Sequence, residues 1–169
     1  MATIRVLDAD DADAFRALRL EGLRDSPTAF GASHDDEVHF TRGDFVRRVE
    51  PTKDSWLLGA FDDESAMVGC IGWYRDRGAK VSHKSHIWGI YVTPRHRRKG
   101  IACALVTELI ARAKSNTGVT QIELFVAAGN SGAACLYESI GFKRVAVHPN
   151  SLFVDGRYID EELSILHIT

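Results

Sequence analysis

The 169-residue sequence predicts a mixed α/β fold in one domain, and three stretches support that prediction. Residues 86–115 have the pattern of a strand, a basic turn with a glycine, and an amphipathic helix. Residues 56–74 have the pattern of a β-hairpin, with a polar turn between two apolar runs. Residues 121–126 form a further strand pattern directly after the long helix. Strands that alternate with helices in this way indicate a sheet covered by helices.

The remaining elements follow from capping residues and apolar periodicity. Asp8 or Asp10 is expected to cap the first helix, which ends near Pro27 because the residue before a proline leaves helical space. Ser33 is expected to cap a short second helix, and Thr41 opens a third. The predicted strands cover residues 3–7, 56–61, 67–74, 82–92, 121–126, 142–148 and 158–168, and the later helices begin at Ile101 and Asn130 and end near Ser115 and Gly141.

Composition narrows the functional classes. With 45% hydrophobic and 26% charged residues, the chain suits one globular domain over residues 1–169. A formal charge of −2 and a single basic cluster argue against nucleic-acid binding. No apolar run approaches a membrane span and no secretory signal is evident, so we expect a cytoplasmic protein. Three cysteines without regular spacing predict reduced thiols that pack as small buried hydrophobes: Cys70, Cys103 and Cys135.

The basic turn is the strongest candidate for a ligand site. Four fixed positive charges lie between Arg95 and Lys99, directly before the helix that begins at Ile101. A helix N-terminus offers free backbone N–H groups, and Gly100 lets a ligand approach the backbone closely. These features indicate a cradle for a phosphate-like anion, although a solvated basic turn explains the charge alone. Neither a P-loop nor a GxGxxG motif occurs.

Two motifs carry a family resemblance. The first is Arg97-Arg98-Lys99-Gly100-Ile101-Ala102, which matches the pattern (Q/R)xxGx(G/A). The second is residues 130–142, which match N-x-x-A-x-x-L-Y-x-x-x-G-F. In this order and spacing they resemble the acetyl-CoA-binding segments of the GNAT superfamily of N-acetyltransferases.

The resemblance implies a fold and a cofactor site. It implies a central, mostly antiparallel mixed sheet of about seven strands flanked by helices, with a V-shaped splay between the fourth and fifth strands. Acetyl-CoA would be the acyl donor. The backbone of Ile90, Tyr91 and Val92 would pair with the pantetheine amides, the Val92 N–H would hold the thioester oxygen, and Asn130 would contact the cofactor. The residues implied for the pyrophosphate are Arg97, Arg98, Lys99, Gly100, Ile101 and Ala102.

The resemblance also implies catalytic residues. Tyr137 matches the family tyrosine that protonates the departing thiolate, and its alternative role is that of a packed helix residue. The family's protein-modifying branches often carry a glutamate base early in the fourth strand, where this chain has His86. Strand alternation predicts that His86 shares a face with Trp88, Ile90 and Val92. Gly89 lies inside the same strand, where a glycine often signals a bulge or a close backbone approach. An imidazole suits a base near neutral pH, but a relay of ordered waters is equally open.

Other chemistries have little support in the sequence. No CxxC or HExxH motif occurs, so no metal is predicted. No GxSxG elbow supports a hydrolytic triad. An acetyl-cysteine intermediate at Cys135 is disfavoured because its helical side differs from that of Tyr137.

The sequence therefore predicts transfer of acetyl from acetyl-CoA to a primary amine of a small molecule, such as an amino acid, a polyamine or an amine-containing antibiotic, by direct transfer in a ternary complex. The alternatives are an acetyltransferase for protein N-termini or lysines, and a non-catalytic acyl-CoA sensor. Family members are commonly homodimers, which leaves a homodimer open here. Acceptor specificity is assigned to the early helices and to loops near Gly78 and Asn150. The acidic run Asp35-Asp36-Glu37 has two interpretations. It attracts a cationic amine, or it is a solvated helix start, and the second interpretation is favoured.

Overall fold

The computed structural model describes residues 2–168, in which seven strands and five α-helices are present. In chain order these are β1 (Thr3–Val6), α1 (Ala12–Asp25), α2 (His34–Glu37), α3 (Arg42–Val49), β2 (Ser55–Phe61), β3 (Met67–Arg75), β4 (Lys84–Val92), α4 (Ile101–Lys114), β5 (Gln121–Ala127), α5 (Ser131–Ile140), β6 (Lys143–Val154) and β7 (Arg157–His167). Short 3-10 turns occupy Ala9–Asp11, Pro27–Ala29 and Pro94–His96.

All seven strands belong to one sheet, in the order β1-β2-β3-β4-β5-β7-β6. Five of the six neighbouring pairs are antiparallel, and β4 with β5 is the parallel pair. The parallel pair follows from the connection, because the helix α4 carries the chain from the end of β4 back to the start of β5. The predicted mostly antiparallel, mixed seven-stranded sheet is therefore confirmed.

Each face of the sheet has its own hydrophobic core. On one face, α4 and α5 bury Leu105, Leu109 and Tyr137 against the strands. On the other face, α1 and α3 bury Phe15 and Phe45 against β2 and β3. The helical periodicity of the apolar residues thus accounts for the layered arrangement, because each amphipathic helix turns its apolar stripe to the sheet.

Capping residues set the helix ends largely as predicted. The Thr41 hydroxyl accepts a hydrogen bond from the Asp44 N–H and starts α3, and the Asn130 side chain accepts one from the Ala133 N–H and starts α5. Gly141 ends α5 in a left-handed conformation, with φ of 111°. Asp8 caps the 3-10 turn that precedes α1 rather than α1 itself.

Strand β6 is longer than the sequence predicted. Its predicted end was residue 148, but pairing with β7 continues to Val154. The strand accommodates Pro149 and Asn150 by a register shift between His148 and Leu152, and the Asn150 N–H donates to the Asp160 carboxylate at 2.8 Å. Asn150 consequently lies within a strand, and the loop expected there is not present.

The expectation that all three cysteines are buried is wrong for two of them. Cys70 is buried in β3, whereas Cys103 on α4 and Cys135 on α5 are exposed. Both helices cover the sheet with only one side, so a cysteine on the outer side reaches solvent.

Gly72 tests how tightly the sheet packs beside the fourth strand. A Cβ added at Gly72 would lie 2.3 Å from Cε2 of Trp88, so Gly72→Ala forces the indole to move. We expect a loss of about 1–3 kcal/mol in the free energy of unfolding, measured by chemical denaturation. Gly132→Ala is the control, because a Cβ there meets no atom within 4 Å. Equal stability of the two variants would contradict the packing described.

Candidate active site

The site begins where β4 and β5 separate. The parallel pair is limited to three residues of each strand, Lys84–His86 with 121–123. Beyond His86, β4 continues to Val92 while it pairs with β3 on its other side. One edge of β4 is therefore free of strand pairing over residues 87–92, and the sheet opens there into a V.

A β-bulge lies on the open part of β4. Gly89 has φ of 64°, and the register with β3 shifts so that Gly89 and Ile90 together lie opposite Ile71. The bulge that glycine predicted in this strand is confirmed, and it reverses the alternation of side chains. Trp88 packs with the core under α1, whereas Ile90 and Val92 pack with the core under α4. The prediction that His86 and Trp88 share a face with Ile90 and Val92 is therefore wrong.

The basic turn has the backbone conformation of an anion cradle. Arg98 and Gly100 have φ of 63° and 79°, and α4 begins directly afterwards at Ile101. The backbone N–H groups of residues 98–103 have no hydrogen-bond acceptor within residues 2–168. A cleft of about 210 Å³ lies over this turn, lined by Val92, His96, Arg97, Arg98, Gly100, Ile101, Ala102, Cys103 and Leu136. Successive free N–H groups beside cationic side chains fit a pyrophosphate.

Arg97 differs from its neighbours because its guanidinium already has partners in the protein. Its Nε donates to the Val92 carbonyl oxygen at 3.0 Å, and Nη2 donates to the Asp25 carboxylate. The guanidinium also lies over the Tyr91 ring, 5.5 Å from its centroid. This ion pair raises the pKa of Arg97 and lowers that of Asp25. Arg97 therefore ties the turn to β4 and α1, and a direct contact of its side chain with the cofactor stays a prediction.

A second cleft, of about 330 Å³, continues from the turn along the free edge of β4 to α5. Its lining includes Ile90, Tyr91, Val92, Arg97, Ala102, Asn130, Leu136 and Tyr137. The Tyr91 hydroxyl points to α1, where it donates to Glu21 at 3.0 Å. The Tyr91 side chain is therefore held by α1, and pairing of its backbone with a ligand in this cleft stays a prediction.

Tyr137 is the titratable side chain at the α5 side of this cleft. It is 4% exposed and its ring meets Phe142 edge to face, with 5.5 Å between centroids. Burial raises the pKa of Tyr137 above the ordinary value for tyrosine. The phenol therefore stays protonated at neutral pH, as a proton donor requires.

His86 lines a third cleft, of about 380 Å³, on the α1 side of the V. Its Nε2 lies 3.1 Å from Oδ1 of Asp76, and its ring stacks on Tyr74 with 4.7 Å between centroids. The imidazole is thus fixed at the apex of the V. The second and third clefts share Ala29 and Phe30, so Phe30 stands between Tyr137 and His86.

Three further residues of the third cleft were not singled out in the sequence: Arg19, Phe30 and Glu123. Glu123 lies opposite His86 in the backbone register of β4 with β5, at the apex of the V. Its Oε1 lies 3.2 Å from the Lys84 Nζ. The sequence signal for Glu123 was its position as a charged residue within the apolar run 121–127. Arg19 is four residues after Phe15 on the apolar side of α1, and a cation on that side was the signal there.

The acidic run at α2 divides into two parts. Asp35 is fully exposed and Asp36 lies at the helix start, where its N–H donates to Ser33. Glu37 is buried and forms ion pairs with Arg19 and Arg48. The favoured interpretation as a solvated helix start holds for Asp35 and Asp36 but is wrong for Glu37.

Within residues 2–168, no cluster of three or more His, Cys, Asp or Glu side chains is arranged to hold a metal ion. Among the helices of the same residues, none has the length and apolar character of a membrane span.

Comparison with known proteins agrees with this geometry. Residues 15–142 match the model of the acetyltransferase (GNAT) family. The chain is 29% identical over 143 residues to a mycothiol acetyltransferase of Clavibacter michiganensis, covering 82% of this chain and 42% of that protein. It is 35% identical over 78 residues to the [ribosomal protein bS18]-alanine N-acetyltransferase of Escherichia coli K12, covering 46% of this chain and 52% of that one. The chain thus spans about half, or less, of the length of these relatives.

Solved structures support the fold over the whole chain. A GNAT-family acetyltransferase from Streptococcus pneumoniae superposes with a TM-score of 0.87 at 21% identity, covering 99% of this chain and all of the other. An acetyltransferase structure from Salmonella typhimurium that contains acetyl-CoA gives a TM-score of 0.81 at 20% identity, covering 100% and 95% of the two chains. With three quarters of its length matched by the family model, the chain belongs to the acetyltransferase (GNAT) family.

Proposed function

We propose that this chain transfers the acetyl group of acetyl-CoA to a primary amine of a small molecule by direct attack of the amine on the thioester. The observation that carries the proposal is the continuity of the three clefts around the open edge of β4. The cleft over the basic turn and the second cleft share Val92 and Arg97. The second and third clefts share Phe30. A donor and an acceptor can therefore meet beside the bulge at Gly89.

The donor is held mainly by backbone groups in this proposal. The free N–H groups of the turn at Gly100 bind the pyrophosphate, with charge from Arg98 and Lys99. The unpaired edge of β4 binds the pantetheine amides, and the Val92 N–H polarises the thioester carbonyl. Asn130 caps α5 and lines the same cleft, where its side chain also contacts the cofactor in this proposal.

The acceptor amine loses a proton on the other side of the V. A neutral His86 that donates from Nε2 to Asp76 keeps the lone pair of Nδ1 free for that proton. The amine nitrogen then bonds to the acetyl carbon, and the carbon–sulfur bond breaks. Tyr137 donates its proton to the departing sulfur, and the remaining extra proton of the attacking nitrogen returns to the Tyr137 oxygen through water, which gives the amide and free CoA. Ordered water between the amine and His86 is an alternative route for the first proton.

Direct transfer is favoured over a cysteine intermediate by the geometry of α5. Cys135 is exposed, whereas Tyr137, two residues later, is buried at the cleft. An acetyl group bound to Cys135 would lie on a different side of the helix from the proton donor.

The size of the third cleft supports a small acceptor, since about 380 Å³ is within the range of small-molecule sites. A peptide acceptor is the second candidate, and the similarity to the E. coli enzyme named for a ribosomal protein alanine supports it. Acetyl-CoA turnover with amino acids, polyamines, aminoglycosides and short peptides, with products identified by mass, separates the two. Tight acetyl-CoA binding without any product would favour a sensor.

Gly100→Leu should weaken acetyl-CoA binding by at least about 10-fold, measured by calorimetry, because the new side chain occupies the anion cradle. Gly156→Leu is a matched control at a turn remote from the site. Gly156 has φ of 76° against 79° for Gly100, and a Cβ at either position meets no atom within 4 Å. Wild-type affinity in Gly100→Leu would remove the turn from the cofactor site.

Tyr137→Phe should lower kcat by about 10²- to 10⁴-fold and leave acetyl-CoA affinity unchanged, because only the proton donor is lost. Tyr158→Phe is the control, since that residue is 67% exposed on β7. Steady-state kinetics with calorimetry checks both values. If Tyr137→Phe keeps full activity, the residue has a packing role.

His86→Gln should lower kcat by a similar factor of about 10²–10⁴ without a change in acetyl-CoA affinity, and Asp76→Asn should give a smaller loss. His83→Gln is the control, because His83 is exposed and lies just before β4. Single-turnover rates measure the chemical step. Near-normal rates in His86→Gln would assign the base to ordered water.

A further inference from the structure

Arg19 is a buried cation at the wall of the third cleft. The residue is 6% exposed and lies on α1, facing the open part of β4. Its Nε and Nη2 donate to the two carboxylate oxygens of Glu37, at 3.0 and 2.9 Å. This bidentate pair fixes the plane of the guanidinium and thereby the direction of its third nitrogen.

The charges around Glu37 do not cancel. Nη1 of Arg48 also lies 3.0 Å from Glu37, so two guanidinium groups share one carboxylate. Burial by itself would raise the pKa of Glu37, but hydrogen bonds and charge from Arg19, assisted by Arg48, lower it. With Glu37 ionised, the three side chains carry a net charge of +1 beside the cleft.

The third nitrogen of Arg19 has no partner within residues 2–168. Nη1 is sealed from solvent and makes no hydrogen bond. The guanidinium carbon lies 5.1 Å from the centroid of the Phe30 ring and 5.7 Å from that of Trp88. A Cβ built on Gly89 would lie 3.5 Å from Nη1, so this donor reaches the bulge of β4. An unpaired buried donor is rare in proteins, and here it meets the junction of the donor and acceptor clefts.

We propose that Arg19 determines acceptor specificity by binding the carboxylate of an amino acid, whose amino group is the one acetylated. The inference rests on the proposed acetyl transfer to an amine. The Phe30 ring packs on the Arg19 guanidinium and lines both clefts, and in this proposal entry of the acceptor moves the ring aside. The carboxylate then takes the free donor of Arg19 and balances the surplus positive charge.

The rest of the cleft complements the remaining parts of such an acceptor. Glu123 and Glu161 line the walls of the same cleft, away from Arg19 on the β5 and β7 side of the V. Aromatic rings of Tyr74, Trp88 and Phe125 also line it. A molecule with one anionic group, an amine and an apolar or cationic side chain matches this distribution of charge, whereas a plain amine leaves Nη1 unpaired.

The experiment compares amino acids with the amines that lack only the carboxylate. Matched pairs are phenylalanine with phenethylamine, tryptophan with tryptamine, leucine with isoamylamine, and ornithine with putrescine. For the wild-type protein we expect kcat/KM to be about 10- to 100-fold higher for the amino acid of the preferred pair. In Arg19→Lys, which keeps the charge but loses Nη1, the ratio should fall close to 1.

Arg48→Lys is the matched control, because Arg48 shares Glu37 but does not line the cleft. It should keep the wild-type ratio. If Arg19→Lys fails to fold, as judged by thermal unfolding, the wild-type ratios alone decide the question.

Three results would overturn the proposal. Equal kcat/KM for amino acids and their matched amines refutes the role of Arg19 and leaves the acetyltransferase function standing. An unchanged ratio in folded Arg19→Lys does the same. Absence of acetyl transfer to either series, with acetyl-CoA binding intact, refutes the function in its small-molecule form, and this inference falls with it.

Discussion

The parting of β4 and β5 after three residue pairs is the constraint on which the site depends. Backbone N–H and C=O groups inside a protein need partners, and strand neighbours usually supply them. Here β4 keeps β3 on one side and loses β5 on the other beyond His86. The bulge at Gly89 then turns Trp88 to one face and Ile90 to the other. A single strand thereby lines both the second and the third cleft.

Long-range contacts hold this open strand in place. The C-terminal part of α1 reaches β4 through the hydrogen bond from Tyr91 to Glu21, and it reaches the basic turn through Asp25 and Arg97. Gly22 allows this approach, because a Cβ there would lie 3.0 Å from the Tyr91 ring. One helix thus supports the open strand β4, the basic turn and, through Arg19, the third cleft. Small movements of α1 would therefore displace residues at all three places.

The sequence was sufficient for features set by local rules. The caps at Thr41 and Asn130, the turn at Gly100 and the bulge at Gly89 each follow from the conformational preference of one residue type. The mostly antiparallel sheet and the parallel pairing of β4 with β5 followed from the resemblance and from the long helix between these strands. The position of β7 between β5 and β6 and the length of β6 were not predicted.

Pairings between distant segments were not predictable in the same way. Arg19 and Glu37 are 18 residues apart, and Asp25 and Arg97 are 72 apart. Which charged residues form ion pairs depends on how the helices pack on the sheet. The sequence pattern does not determine that packing. The bulge in β4 shows the same limit at short range. Gly89 indicated a bulge, but the prediction still assumed that side chains alternate regularly across it. The third cleft depends most on such contacts, and Arg19 and Glu123 in its lining were therefore not identified from the sequence.

The irregularity of β6 hinders the strands of other protein molecules from pairing with this edge of the sheet. β6 is an outer strand of the sheet and exposes Val145 and Val147, a combination that invites edge-to-edge aggregation. Its register shifts and Pro149 interrupt the ladder that an incoming strand would need, and the opposite outer strand, β1, has only four residues. Unpaired backbone is thus protected at the outside of the sheet and left free inside the V. That distribution leaves the backbone inside the V, more than that of the outer strands, available for hydrogen bonds with another molecule.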